Sequence, residues 1–120
     1  MTNILLSQLS KEEYCYLTTK GRVSGYPHEI EIWFGIHDST LYLLSGSHTS
    51  DWVKNLLKDP AVTVRIAKHT FSGVARVVRE KEEECSARYL LAEKYQEWEQ
   101  GKTLSQWAQT ALPIAIDVSS

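Results

Sequence analysis

Two cations and a hydroxyl lie within a short segment bounded by glycines, Lys20-Gly21-Arg22-Val23-Ser24-Gly25. Glycine adopts positive φ without strain, so the chain can turn tightly here and a ligand can approach the backbone closely. Arg22 can hold a phosphate or carboxylate through two parallel hydrogen bonds, while Lys20 adds charge and Ser24 adds a donor. The segment therefore predicts an anion-binding turn, with an ordinary solvated hairpin loop as the alternative.

A second polar segment, Ser45-Gly46-Ser47-His48-Thr49-Ser50, comes directly before a helical pattern. Free backbone N–H groups at a helix start favour negative charge, and the loop adds side-chain donors at Ser47, His48 and Thr49. Lys54, one turn into the helix, would extend the positive rim. A capped helix start that binds nothing is the alternative. Because each segment follows a strand predicted to neighbour the other, the two together predict one anion site.

Other catalytic chemistry finds little support in the sequence. The four histidines show no metal-ligand spacing and no HExxH motif, so we expect no catalytic metal. The sequence also lacks a GxSxG elbow, and its two cysteines are far apart and outside any CxxC pair. His48 lies inside the predicted anion site, and because imidazole titrates near neutrality it is the candidate proton donor.

The composition limits the class of protein. A chain of 120 residues with 42% hydrophobic residues predicts one globular domain spanning 1–120. A net charge of −2 and a pI near 6.1 argue against a nucleic-acid partner. We expect no membrane association, because no apolar run approaches the length of a membrane span. Unpaired cysteines and the lack of a signal-peptide pattern predict reduced thiols and a cytoplasmic location.

Alternating hydrophobic residues dominate the chain and predict a mainly β fold of about six antiparallel strands with two helices. Most connections are too short for the crossovers of a parallel sheet, so a small barrel is expected. The predicted strands are Tyr14–Thr19, Tyr26–Ile36, Leu41–Ser45, Ala61–Ala67, Phe71–Val78 and Leu112–Val118, and the predicted helices are Asp51–Lys58 and Glu80–Gln100. Trp33 falls on the polar face of its strand, where local irregularity, a bound ring system or a second subunit could cover it.

The order and spacing of three motifs carry a family resemblance. They are TTKGRVSG at 18–25, YLLSG at 42–46 and DWVKNL at 51–56, followed by the Asp59-Pro60 step. In these motifs the sequence resembles the deazaflavin-dependent nitroreductases. That family belongs to the split β-barrel flavoproteins, which also include the pyridoxamine phosphate oxidase-like enzymes with an FMN-binding split barrel.

The resemblance implies a split β-barrel homodimer that holds a flavin-type cofactor at the subunit boundary. Its cofactor would be the deazaflavin coenzyme F-420 or FMN, with the TTKGRVSG turn on the phosphate and the loop after Ser45 beside the ring. The implied function is an oxidoreductase that passes a hydride from the reduced cofactor to a small organic acceptor such as a quinone, enone or nitro compound. A non-catalytic flavin or haem carrier, or a sensor on the same barrel, is the alternative.

Overall fold

The computed structural model describes residues 2–119, which form one antiparallel sheet of seven strands and four helices. The strands are β1 Cys15–Lys20, β2 Pro27–Ile32, β3 Gly35–His37, β4 Thr40–Ser45, β5 Ala61–Ile66, β6 His69–Val77 and β7 Leu112–Val118. The helices are α1 Thr2–Leu9, α2 Asp51–Lys58, α3 Lys81–Tyr95 and α4 Gln106–Thr110. The mainly β class is confirmed, with one strand and two helices more than the sequence predicted.

The sheet is curled into an open barrel by its own connectivity. Its strand order is β2-β1-β5-β6-β7-β4-β3, so β2 and β3 form opposite edges. Yet these two strands are consecutive in the chain and only Trp33 and Phe34 separate them. Two linking residues span at most about 10 Å, so the edges must meet at this corner. The sequence predicted one continuous strand from Tyr26 to Ile36, and that prediction was wrong because the chain turns the corner there.

The corner is held by two side chains from the end of α3. Lys94 Nζ donates to the Phe34 carbonyl at 3.0 Å and lies 3.7 Å from the centre of the Phe34 ring. The Tyr95 hydroxyl accepts from the Phe34 N–H at 3.0 Å and donates to the Glu13 carbonyl at 2.7 Å. Partial burial of Lys94 lowers its pKa to about 8. These bonds satisfy backbone groups that the broken strand leaves without ladder partners.

Trp33 is covered by residues of its own chain. Its ring stacks on Tyr95 at 4.4 Å between centroids, and Trp107 meets it edge-on at 5.6 Å. Both arrangements are preferred geometries for aromatic pairs. Of the three covers that the sequence left open, the structure therefore contains the local irregularity, with packing by α3 and α4.

The hydrophobic core has two layers. The barrel interior is filled by alternate residues of the strands together with α1, including Leu6, Leu17, Val64, Ile114 and Ile116. A second cluster lies outside the barrel, where α3 and α4 cover β4 and β7. For this reason β4 and β7 are buried on both faces and read as nearly continuous apolar runs.

Two of the helices lay outside the sequence predictions, and a third ends earlier than predicted. Helix α1 buries Leu6 and Leu9, and α4 is capped by Ser105, whose side chain accepts from the Ala108 N–H. Helix α3 was predicted to reach Gln100 but ends at Tyr95. Glu97 then takes a left-handed φ of 53°, which does not continue a right-handed helix.

Candidate functional site

The predicted turn is closed by its own backbone and fastened to α2. The Gly21 N–H donates to the Tyr26 carbonyl at 2.8 Å, and the Gly25 N–H donates to the Gly21 carbonyl at 2.9 Å. Gly25 has a φ of +78°, as the glycine pattern predicted. Lys58, at the end of α2, donates to the Arg22 carbonyl at 2.9 Å. The turn and the helix therefore form one rigid unit.

Arg22 faces α2 and bridges two of its residues. Its Nη1 atom donates to Asn55 Oδ1 at 2.9 Å, and its Nη2 atom donates to Asp51 Oδ1 at 3.1 Å. The guanidinium is about one-third exposed, whereas the Asp51 carboxylate is almost fully exposed. An anion can therefore approach Arg22 from the solvent side, where it meets the Asp51 carboxylate.

Asn55 is a buried polar residue that the sequence analysis missed. Its Oδ1 atom accepts from both the backbone N–H and the guanidinium of Arg22, and its Nδ2 atom donates to Thr19 Oγ1 at 3.2 Å. Thr19 and Asn55 are each less than 5% exposed. The available signal was an asparagine next to the apolar residues of an amphipathic helix, because buried amides are normally fully hydrogen-bonded.

A cleft of about 510 Å³ opens between the turn and α2, and we call it the Arg22 cleft. Besides Arg22, its polar lining consists of Ser24, His28, Glu29, Asp51 and Asn55, and Trp52 and Ile30 supply apolar walls. His28 was assigned no role from sequence.

Gly21 also lines this cleft, and it is buried beneath the side chains of Ser24 and His28. A Cβ on Gly21 would lie 2.7 Å from His28 Nε2 and 2.7 Å from Ser24 Oγ, closer than real Cβ atoms approach. A larger residue at position 21 would therefore require these two side chains to move.

The two lysines of the prediction lie apart from this cleft. Lys20 is exposed at the end of β1, beside a separate shallow depression that Thr18, Thr63 and Gly73 also line. Lys54 is exposed on α2. The structure thus brings Arg22 and Ser24 together and leaves Lys20 and Lys54 at the periphery.

The loop before α2 is held by its own hydroxyl groups. Ser45 is buried and its Oγ donates to the Ser47 carbonyl, while Ser50 Oγ donates to the same carbonyl at 3.2 Å. The Thr49 N–H donates to Ser47 Oγ at 3.2 Å. Gly46 faces Trp107, which would lie 3.7 Å from a Cβ at that position. Ser50 begins the helix as predicted, although its side chain makes no capping bond.

His48 connects this loop to α4. Its Nε2 atom lies 3.0 Å from the Thr110 carbonyl. Because a carbonyl only accepts, Nε2 carries the hydrogen in this contact. The imidazole ring itself is exposed.

The two predicted segments are connected through α2 and not through neighbouring strands, and their joint action on one anion stays a prediction. They were expected at the ends of neighbouring strands, but β1 and β4 are separated in the sheet by β5, β6 and β7. The expectation was wrong because strand order does not follow chain order here. Instead, the 46–50 loop leads into α2, and Asp51 at the start of α2 contacts Arg22.

A second cleft, of about 380 Å³, lies at the barrel corner, and we call it the aromatic cleft. Its lining includes Tyr14, Trp33 and Trp107, with Glu31 and Gln96 as polar groups. Trp107 also borders Gly46, so this cleft adjoins the 46–50 loop. Aromatic walls with few polar groups are typical of sites for planar organic molecules.

The strongest ion pairs lie elsewhere in the molecule. Arg76 binds Glu83 of α3 and Asp117 of β7, each at 2.7 Å, and the Tyr42 hydroxyl donates to Glu83 at 2.7 Å. The bonds from Arg76 and Tyr42 lower the pKa of Glu83 to about 2. Burial, together with the bond to Glu83, raises the pKa of Tyr42 to about 12. These residues join four elements, and we assign them to stability.

Residues 2–119 contain no cluster of three or more side chains suited to a metal ion. Both cysteines are free, Cys15 in the core and Cys85 at the surface. Within the same residues, no helix is both long and apolar enough to cross a membrane.

Solved structures place this fold among the split β-barrel proteins. An F420-H2 dependent reductase superposes with a TM-score of 0.67 at 20% identity, covering 89% of this chain and 94% of its own. The heme storage protein HutZ from Vibrio cholerae superposes with a TM-score of 0.74 at 18% identity, and the match covers 99% of this chain and 91% of HutZ. A FAD-binding protein from Mesorhizobium loti superposes with a TM-score of 0.72 at 15% identity, and the match covers 100% of this chain and 91% of that protein. At these identities the similarity concerns the fold.

The family follows from the sequence match. Residues 3–119 match the profile of the F420H(2)-dependent quinone reductases, and the chain belongs to this family. It is therefore an oxidoreductase, and its cofactor is the deazaflavin coenzyme F-420. No protein with a curated description matches the sequence.

The Arg22 cleft has donor groups of the kind that bind a phosphate. These are the guanidinium, hydroxyl and imidazole groups of Arg22, Ser24 and His28. Trp52 and Ile30 give the cleft an apolar wall. The carboxylates of Glu29 and Asp51 belong to the same lining and would oppose an anion.

Proposed function

We propose that this protein uses the reduced deazaflavin to reduce a small organic acceptor, a quinone, enone or nitro compound. The observation that carries the proposal is the Arg22 cleft, where a guanidinium, a hydroxyl and an imidazole line one cavity beside Trp52. The family match supports the reductase activity, and the aromatic cleft supports a planar acceptor.

The residues of the chain position and shield the reactants. Arg22 and Ser24 hold the phosphate through charge-assisted hydrogen bonds, with Lys20 and Lys54 as peripheral cations. Backbone and hydroxyl groups of Ser45, Gly46, Ser47 and Thr49 flank the ring. The bound deazaflavin supplies the hydride. Trp33 and Trp107 exclude water from the acceptor, which strengthens the electrostatic interactions inside the cleft.

His48 is the proposed proton donor to the reduced acceptor. Its Nε2 hydrogen is committed to the Thr110 carbonyl, so the proton available for transfer is the one on Nδ1 of the imidazolium.

The binding part of the proposal is tested by titrating the purified protein with coenzyme F-420 while following tryptophan fluorescence. Replacing Arg22 by alanine removes the charge-assisted bonds, so we expect the dissociation constant to rise by about tenfold or more. Arg79→Ala, a change of the same type at an exposed position, is the control. Equal affinities for wild type and Arg22→Ala would remove Arg22 from the site.

We further propose that the active form is a cytoplasmic homodimer with the cofactor at the subunit boundary. Strand β2 is an exposed sheet edge over most of its length, and the two thiols are free, which supports a reducing compartment. Sedimentation of the purified protein should give about twice the chain mass of 13.7 kDa. A mass of one chain, unchanged by added cofactor, would contradict the dimer.

A further inference from the structure

The lining of the Arg22 cleft includes a carboxylate that contacts its arginine. Asp51 Oδ1 lies 3.1 Å from Arg22 Nη2, and both residues line the cleft. A bound phosphate would have to share Arg22 with this carboxylate or displace it. Asp51 is also the first residue of α2, so its charge offsets the positive end of the helix dipole at the same place.

The cleft therefore offers less positive charge than its arginine suggests. Arg22 contributes one positive charge and is paired with Asp51, while Glu29, the second carboxylate of the lining, is paired at 3.9 Å with Arg65, which does not line the cleft. Lys58 contacts the turn from α2, but its ammonium group donates to the Arg22 carbonyl. A singly charged phosphate would be neutralised by Arg22 alone. A doubly charged phosphate would keep one uncompensated charge beside Asp51 and Glu29, and like charges at short range repel.

We propose that Asp51 is a specificity-determining residue, which makes the Arg22 cleft select a singly charged phosphodiester over a doubly charged phosphomonoester. This inference rests on the proposed role of Arg22 as the phosphate ligand. Coenzyme F-420 carries its phosphate as a diester, whereas FMN carries a monoester that is largely doubly charged at neutral pH. Asp51 would thus act against FMN in a barrel whose general shape accommodates either cofactor.

The test compares Asp51→Asn with the wild type for two ligands, coenzyme F-420 and FMN. Riboflavin, which has the ring of FMN and no phosphate, reports the affinity of the ring alone. An exposed charge pair changes an equilibrium constant by a factor of roughly two to five, and the monoester bears twice the charge of the diester. We therefore expect Asp51→Asn to improve FMN binding about threefold more than F-420 binding, with riboflavin unchanged.

Two further variants make the result specific. Glu29→Gln removes the second carboxylate of the cleft. Like Asp51→Asn, it should improve FMN binding more than F-420 binding. Glu93→Gln removes an exposed carboxylate on α3 and should leave the relative affinity for FMN and F-420 unchanged. Thermal unfolding of each variant confirms that the fold is retained.

The outcomes separate this inference from the function on which it rests. One outcome is that wild type binds F-420 through Arg22, while Asp51→Asn improves the affinity for both ligands equally or for neither. The role of Asp51 is then refuted and the phosphate site stands. If wild type binds neither ligand, or if Arg22→Ala binds as well as wild type, the phosphate site itself is refuted and the inference falls with it.

Discussion

At the scale of single residues, Asn55 determines the geometry of the candidate site. One buried amide joins Arg22 of the turn to Thr19 of β1, and it does so through three hydrogen bonds. Sequence reasoning found Arg22 and Ser24 because the glycines around them mark a turn. It missed Asn55, because its partners lie more than thirty residues away in the chain and only the folded structure brings them together.

Replacing Asn55 by alanine should lower the free energy of unfolding by about 2 kcal/mol, because the Arg22 N–H and the Thr19 hydroxyl lose a buried partner. Urea denaturation measures this loss. The same variant should bind F-420 more weakly, since Arg22 would no longer be held toward the cleft. Lys54→Ala on the exposed side of the same helix is the control for stability. A variant as stable as wild type would show that the amide network is not needed for the fold.

At the scale of elements, the Arg76 network joins β4, β6, β7 and α3 and shares no residue with the Arg22 cleft. Arg76 makes two bonds to Glu83 and two to Asp117, and Tyr42 donates a further bond to Glu83. Because α3 also supplies Lys94 and Tyr95 to the barrel corner, the placement of this helix affects both regions. The sequence predicted α3 from its periodicity but gave no sign of these contacts.

This network predicts a specific loss of stability in acid. The folded protein holds the pKa of Glu83 at about 2, against an ordinary value of 4.5, so the unfolded chain binds the proton more readily. The stabilisation is complete above pH 4.5 and is lost as the pH falls toward 2. Glu83→Gln should be less stable than wild type at pH 6, and the difference in stability between the two proteins should be smaller at pH 3.

Thermal unfolding midpoints at the two pH values test this expectation. Glu82→Gln, an exposed neighbour in the same helical turn, is the matched control and should show no such narrowing. A gap between wild type and Glu83→Gln that is the same at both pH values would contradict the assignment of the low pKa to this network.

At the scale of the whole molecule, the barrel class was predictable and its closure was not. Alternating apolar residues predict strands wherever one face is buried, and five of the predicted strands match the structure closely. The corner at Trp33 and Phe34 looks like continuous strand in the sequence, because Phe34 and Ile36 keep the alternation. Strand order depends on pairings such as β1 with β5, which no local pattern encodes.

The connectivity also brings the turn after β1 into contact with the helix that follows β4. Strands β1 and β4 are separated by three others in the sheet, yet α2 begins at the loop after β4 and packs against the turn after β1. The sequence could predict each loop as an anion site from its own residues. It could not predict that one helix would carry the contact between them.

Turnover tests the central claim, that this chain is a deazaflavin-dependent reductase, most directly. Reduced F-420 is mixed without oxygen with a catalytic amount of protein and an excess of a simple quinone, and the return of the oxidised deazaflavin is followed by absorbance. We predict many turnovers per protein, reduced at least about tenfold in Arg22→Ala and unchanged in Arg79→Ala. Tight binding of F-420 without turnover, for quinone, enone and nitro acceptors alike, would contradict the claim and indicate a carrier or sensor.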